Sequence, residues 1–314
     1  MTRNGSQSCV KTGPSKLKRL LSAFIKRARG PCVLTLLLGL SSAAGAQPKE
    51  TLIWLLRDLP PVTIFEGPQK GQGVIDQLMP LLIAGMPQYD HTLMRVNRAR
   101  GMQMLREESF TCDPSLIWSK EREQWIAFSI PVFRAVTNGL AVRQEDRPQL
   151  EPFLVDGEVD LAALLADGSQ KLGAVAERSY GQFLDAELKQ APANTLTLHY
   201  GNDALGSLLQ MQRLGRLLGV LGYWPEIRYL AQQEKIADNE LVFYPIKGTG
   251  KYISTYIGCS NTAQGKQAIS EINQLLRTLP HERLANAYAD WLDPERRVDY
   301  LEAAKAFFDQ QAGQ

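Results

Sequence analysis

The stretch "SKEREQWIAFSIPVFRAVTNGLAVR", residues 119–143, changes character within a few positions. It opens on charge, with Glu121, Arg122 and Glu123, then turns apolar and partly alternating through Phe128, Val132, Phe133, Leu140 and Val142. Alternation of period two predicts a strand. A charged turn feeding straight into it leaves two readings of Arg122: a solvated corner, or a guanidinium presented to something.

Apolar runs of strand length alternate with helical patterns on both sides of this stretch. "TLIWLLR" (51–57) reads as a buried strand, "GVIDQLMPLLIAGM" (73–86) as a helix interrupted or kinked at Pro80, and "HTLMRV" (91–96) as a second strand. Asn97 is placed to cap a helix through Leu105, and "TCDPSL" (111–116) reads as a third strand. This β-α-β-α-β order implies a largely parallel sheet. The pattern repeats with strand "KLGAVA" (171–176), helix 179–189, strand "TLTLHY" (195–200), helix 203–213 and strand "LLGVLGY" (217–223). The tail is mainly helical, through "TAQGKQAISEINQLLRTL", "HERLANAYADWL" and a last segment from Arg297 to Phe308. Polar stretches near 144–158 and 247–251 mark candidate boundaries.

Length and charge set limits on function. A chain of 314 residues with 44% apolar content is long enough for two domains or lobes. The formal charge of +2 misleads, because residues 1–46 hold eight basic residues and no acid; the remainder carries 27 basic against 33 acidic residues, about −6. A nucleic-acid partner, whose phosphates demand a basic face, is not expected.

The first 46 residues read as an export signal. A basic region precedes the apolar run "VLTLLLGL" (Val33–Leu40), and "SSAAGAQ" supplies the small residues Ala44, Gly45 and Ala46 of a peptidase site, so cleavage is predicted after Ala46 and the protein is expected in the periplasm. The alternative, an uncleaved anchor, needs about 20 apolar residues to span a bilayer, and the run is far shorter. Removing the leader takes Cys9 and Cys32 with it. The remaining Cys112 and Cys259 fit either one disulfide or two buried thiols. His91, His199 and His281 are scattered and neither cysteine has a ligand at metal-site spacing, so neither metal nor other cofactor is expected.

The opening stretch resembles the signature of bacterial family 3 solute-binding proteins, the periplasmic receptors of polar amino acid transporters, in which a Thr-Pro-Glu-Arg turn leads into a Phe-Ser-x-Pro strand. "DLPPVTIFEGPQKGQGVIDQLM" is similar to the family's Pro-Pro strand, acidic turn and glycine-led helix, with Asp76 at the Asp position. "LGAVAERSYGQFL" resembles the strand-turn-helix that opens the second lobe's half of the site. "GRLLGVLGYWPEI", "YISTYIGCSNTAQGKQAISEINQLL" and "LANAYADWL" resemble later family segments in the same order.

The resemblance implies an α/β, two-lobed periplasmic binding protein fold of type II, each lobe a mostly parallel sheet flanked by helices, with two chain crossovers. Residues 47–142 and 248–314 would form lobe one and 143–247 lobe two. It implies a monomeric receptor for a small-molecule ligand, serving an inner-membrane ABC permease or a sensor. Arg122 falls on the arginine that pairs with a ligand carboxylate, a contact suited to its planar fork of donors. Arg178, Ser179 and Tyr180 match the family's Gly-Thr-Thr turn, where a helix N-terminus would face an anion. Ser115, Trp118, Asp58 and Tyr223 complete the expected ligand set, with Trp224 beside Tyr223 at the cleft edge and Trp54 read as core. Cys112 and Cys259 would lie on neighbouring strands within disulfide reach.

Departures from the family bear on the ligand. Tyr223 stands where the family has the Asp that binds an ammonium, Leu218 replaces another Asp, Val62 replaces an aromatic, and Glu177 replaces a Gly. A carboxylate-bearing or polar ligand with no obligatory α-ammonium is therefore expected. Two other readings share the fold: a cyclohexadienyl-dehydratase-like enzyme with Glu177 as general acid, and an interaction protein with a vestigial cleft.

Overall fold

The computed structural model describes residues 48–237, 239–279 and 281–312; the leader with its cleavage after Ala46, and Cys9 and Cys32, lie outside them. The first half runs β1 (Thr51–Leu56), α1 (Val74–Gly85), β2 (Asp90–Arg95), α2 (Arg98–Arg106), β3 (Thr111–Leu116), β4 (Ile126–Val136) and β5 (Gly139–Arg143). After the short helix α3 (Arg147–Leu150) come the hairpin β6 (Leu154–Val155) and β7 (Glu158–Val159), α4 (Leu161–Asp167), β8 (Leu172–Val175) and α5 (Gln182–Lys189). Then follow β9 (Leu196–His199), α6 (Ala204–Arg213), β10 (Gly219–Gly222), α7 (Trp224–Gln233), β11 (Leu241–Pro245) and β12 (Tyr252–Ser260). Helices α8 (Ala263–Thr278), α9 (His281–Ala289) and α10 (Pro294–Ala312) close the chain.

Two five-stranded sheets result, in the orders β2-β1-β3-β12-β4 and β11-β5-β10-β8-β9. In each, three neighbouring strands run parallel, as βαβ units require, and two further strands complete the sheet, each paired antiparallel with its neighbour. Both sheets are covered on both faces. Trp54, Leu78, Phe133, Tyr288 and Tyr300 fill one side of the first sheet, and Leu55, Met102, Leu105 and Ile126 the other. Leu140, Leu164 and Leu172 pack one side of the second sheet, with Leu208, Val220 and Ile227 opposite. Burial on both faces explains why these strands read as continuous apolar runs rather than clean alternations.

The chain passes between the sheets twice, at residues 137–138 and 246–251, and the two links are tied where Thr137 N–H donates to the carbonyl of Lys251 at 3.1 Å. The sequence reading put residues 139–142 in lobe one. Instead, β5 pairs antiparallel with both β10 and β11 in the second sheet. Gly139 is what permits this, since a Cβ there would stand 2.5 Å from the carbonyl oxygen of Tyr244 on β11. The apolar run of the opening stretch is thus two strands in two sheets, broken at Thr137 and Asn138.

Local chemistry fixes the elements around the cleft. The side-chain oxygen of Asn97 accepts from the Arg100 N–H at 2.8 Å, the cap expected for α2. The Asp76 carboxylate accepts from the N–H groups of Gly73 and Ile64, both at 2.9 Å, and so pins the loop from β1 to α1. A Cβ on Gly73 would stand 2.3 Å from the Val62 carbonyl oxygen, which reserves that position for glycine. Helix α1 is not interrupted at Pro80: the proline sits exposed inside it, where solvent can satisfy the carbonyl it leaves unpaired. Cys112 on β3 and Cys259 on β12 are directly opposite, fully buried and joined by a disulfide 147 positions apart. No helix among the described residues is long and apolar enough to cross a membrane.

Candidate functional site

The carboxyl ends of the parallel strands of both sheets meet at one cleft, the place where open α/β sheets hold ligands. The first sheet contributes Leu59 to Val62 after β1, Arg98 at the start of α2, Ser115 near the end of β3, and Ile117 and Arg122 after it. The second contributes Arg178 and Ser179 after β8, and Tyr223, Pro225 and Glu226 after β10. Together they line an inner cavity of about 40 Å³, floored by Phe133, Thr255 and Tyr288. An outer space of about 690 Å³ adjoins it, lined by Arg57, Asp58, Phe65, Arg95, Gly201 and Asp203 among others. Leu59, Pro60, Arg98, Arg178 and Glu226 line both.

Arginine dominates the wall between the two spaces. Arg57, at the end of β1, is buried and pairs through Nη1 with Asp113, while its Nη2 donates to the Ser115 carbonyl at 2.8 Å. Asp113 also accepts from the Ser115 N–H at 2.9 Å, so this buried pair holds the end of β3 that carries Ser115. Arg122 donates from Nη1 to the Ile117 carbonyl at 3.3 Å and from Nη2 across the cleft to the Glu177 carbonyl at 3.1 Å. Burial pulls the Arg122 pKa down, and the nearby carboxylates of Asp185 and Glu177 oppose this.

Arg178 makes a two-pronged contact with Glu226, at 2.6 and 2.9 Å, and both side chains are buried. Burial opposes its charge, but Glu226 outweighs that cost and holds the pKa above the ordinary value. Arg178 is therefore already neutralised within the protein. The turn after it differs from expectation. The helix starts at Gln182, and Asp185 bonds the Tyr180 N–H at 2.7 Å and the Ser179 hydroxyl at 2.5 Å, so the protein's own carboxylate satisfies those donors.

Five of the expected residues line the inner cavity: Arg122, Ser115, Arg178, Ser179 and Tyr223. The other three stand elsewhere. Tyr180 is a core residue, its hydroxyl accepting from the Val175 N–H at 2.7 Å. Trp118 is half-buried and lines neither space, and Asp58 is exposed on the outer one. Glu177 has φ of 59°, a left-handed conformation that glycine adopts more readily. Its side chain is exposed and lines neither space; its carbonyl accepts from Arg122. Trp54 is buried core, as read, and Trp224 stacks on Phe243.

Sequence reasoning missed Arg57, Arg98 and Glu226. Arg57 and Asp113 carried a signal, since opposite charges inside or ending two apolar strands demand a partner. Arg98, in an Arg-Ala-Arg run, looks like any helix-surface arginine, and Glu226 like an ordinary first-turn acid. Among the described residues no cluster of His, Cys, Asp and Glu could hold a metal.

No protein-family model matches the chain and no curated protein matches its sequence. Solved structures do share its fold. An amino acid ABC transporter substrate-binding protein, AbpA, from Streptococcus pneumoniae bound to L-arginine superposes with a TM-score of 0.58 at 15% identity, covering 77% of this chain and 94% of that one. A histidine kinase sensor domain with similarity to periplasmic binding proteins gives 0.60 at 13% identity, with 78% and 96% covered. The periplasmic VFT2 domain of Bordetella pertussis BvgS gives 0.56 at 17% identity, with 77% and 93% covered. At these identities the likeness defines the fold, the two-lobed α/β architecture of periplasmic binding proteins.

Proposed function

We propose that this is an exported, periplasmic solute-binding protein whose lobes close over a small anionic solute, for delivery to an inner-membrane ABC permease or for sensing. The observation that carries the reading is the charge of the inner cavity: Arg98, Arg122 and Arg178 line it against the single carboxylate of Glu226. An uncompensated guanidinium in a desolvated cleft is costly, and an anionic ligand removes that cost.

The same arrangement argues against an α-amino acid. Tyr223 stands at the ammonium position, and Glu226 is committed to Arg178 at 2.6 and 2.9 Å. A cationic solute such as the L-arginine of the pneumococcal protein is disfavoured further. Closure follows from size. A cavity of about 40 Å³ has room for a few waters only, so a solute enters when the lobes part at the links near Thr137 and Lys251. The contacts that then re-form are Arg122 to Glu177, the exposed Lys189–Glu121 pair, Arg228–Asp293, and Tyr229 against Trp291.

Mass spectrometry of small molecules released by denaturing natively purified protein tests the proposal. An acidic compound at up to one per chain is expected; a cationic or uncharged one counts against it.

A further inference from the structure

Arg98 differs from the other arginines of the cleft. Arg57 has Asp113, Arg178 has Glu226, and Arg122 has two carbonyl acceptors with Asp185 and Glu177 nearby. The Arg98 guanidinium makes no hydrogen bond or ion pair with any described residue, although it lines both the inner cavity and the outer space. Burial pulls its pKa well below the ordinary value, and the neighbouring Arg57, Arg178 and Arg122 push it further, with Glu226 opposing only in part. The protein around it leaves most of that cost uncompensated.

The charges lining the inner cavity sharpen the point. Three guanidiniums face one carboxylate, and that carboxylate is bonded by two nitrogens of Arg178. Arg98 and Arg122, neither in an ion pair with a described residue, are left to meet whatever binds. We propose that Arg98 is a second anion-binding residue of the cleft and that the ligand is a small organic dianion, one acidic group held at Arg122 and the other at Arg98. This inference rests on the solute-binding reading and narrows it to a substrate class. The shared chemistry is two negative charges on a compact skeleton, as in a short dicarboxylate or a phosphate monoester. Arg98 also borders the outer space, so the group it holds can extend outward while the group at Arg122 stays enclosed.

Calorimetry on the purified protein distinguishes the cases, with succinate, glutarate and glycerol 3-phosphate as dianions and butyrate as the monoanion. At least one dianion is expected to bind tenfold or more tightly than butyrate, and Arg98→Gln is expected to weaken that dianion by about tenfold or more while changing butyrate less than about threefold. The preferred dianion then tells a dicarboxylate from a phosphate ester. Removing an uncompensated cation is also expected to leave the melting temperature of Arg98→Gln unchanged or raised, which separates lost binding from lost folding. Equal affinity for butyrate and the dianions, or unchanged dianion binding by Arg98→Gln, overturns the inference and leaves a monoanion site standing. No binding of any anion, mono- or divalent, overturns the solute-binding reading itself.

Discussion

Arg122 on one lobe donates to the backbone carbonyl of Glu177 on the other, at 3.1 Å. Arg122 thus reaches across the cleft to a turn held in a left-handed conformation, with Glu177 at φ of 59°. Backbone strain lies where the lobes meet, as is common at sites that move or bind.

The strain makes a first prediction. Glycine adopts that conformation without the steric cost borne by Glu177, so Glu177→Gly is expected to stabilise the protein by up to about 1 kcal/mol. Urea denaturation measures it; a loss of stability would mean that the Glu177 side chain makes a contribution larger than the strain.

A second prediction concerns the buried pair of Arg178 and Glu226, whose side chains are 4% and 5% exposed. Glu226→Gln leaves the guanidinium buried without a counter-charge and is expected to cost about 3–5 kcal/mol, whereas replacing both by apolar residues of similar size costs much less. A loss below about 1 kcal/mol for the single variant would show that Arg178 finds another partner.

The disulfide offers a third. Cys112 and Cys259 close a loop of 147 positions between the third strand and the strand returning from the second sheet. By loop entropy the bond contributes about 4–5 kcal/mol. The Cys112→Ala/Cys259→Ala protein is expected to unfold at correspondingly lower guanidinium concentration. Free thiols in unreduced, denatured wild type would contradict the pairing.

Buried tyrosines set the alkaline limit. Burial pushes Tyr180 from 10.0 up to about 12, raises Tyr223, and holds Tyr288 well above the ordinary range. With folded values above unfolded ones, the unfolded chain releases these protons first, so their stabilisation is complete below pH ~10 and is lost as pH climbs from there toward 12. Phenolate absorbance is expected to appear in two stages, exposed tyrosines first and the buried group together with unfolding. A single stage preceding any loss of circular dichroism would contradict this.

Much of the architecture was legible in the sequence because it is local. The periodicities of 51–57 and 73–86, and the cap at Asn97, report on contacts within a few residues. Which sheet Gly139–Arg143 joins is decided by strands some 80 and 100 positions away, Gly219–Gly222 and Leu241–Pro245, and no local pattern encodes that. The site shows the same division. Arg122 stood out because its charged turn meets an apolar strand, whereas Arg98 and Glu226 become cleft residues only once two lobes fold toward each other. Arg178 was visible, but its pairing was not, since its partner lies 48 positions downstream.

Calorimetry of glutamate against glutarate and 2-oxoglutarate, on wild type and Arg122→Ala, tests most directly whether Arg122 holds an anion that carries no α-ammonium. The des-amino acids are expected to bind wild type more tightly than glutamate and to lose about tenfold or more in affinity on Arg122→Ala. Tighter binding of glutamate than of its des-amino analogues, or full binding by Arg122→Ala, would contradict it.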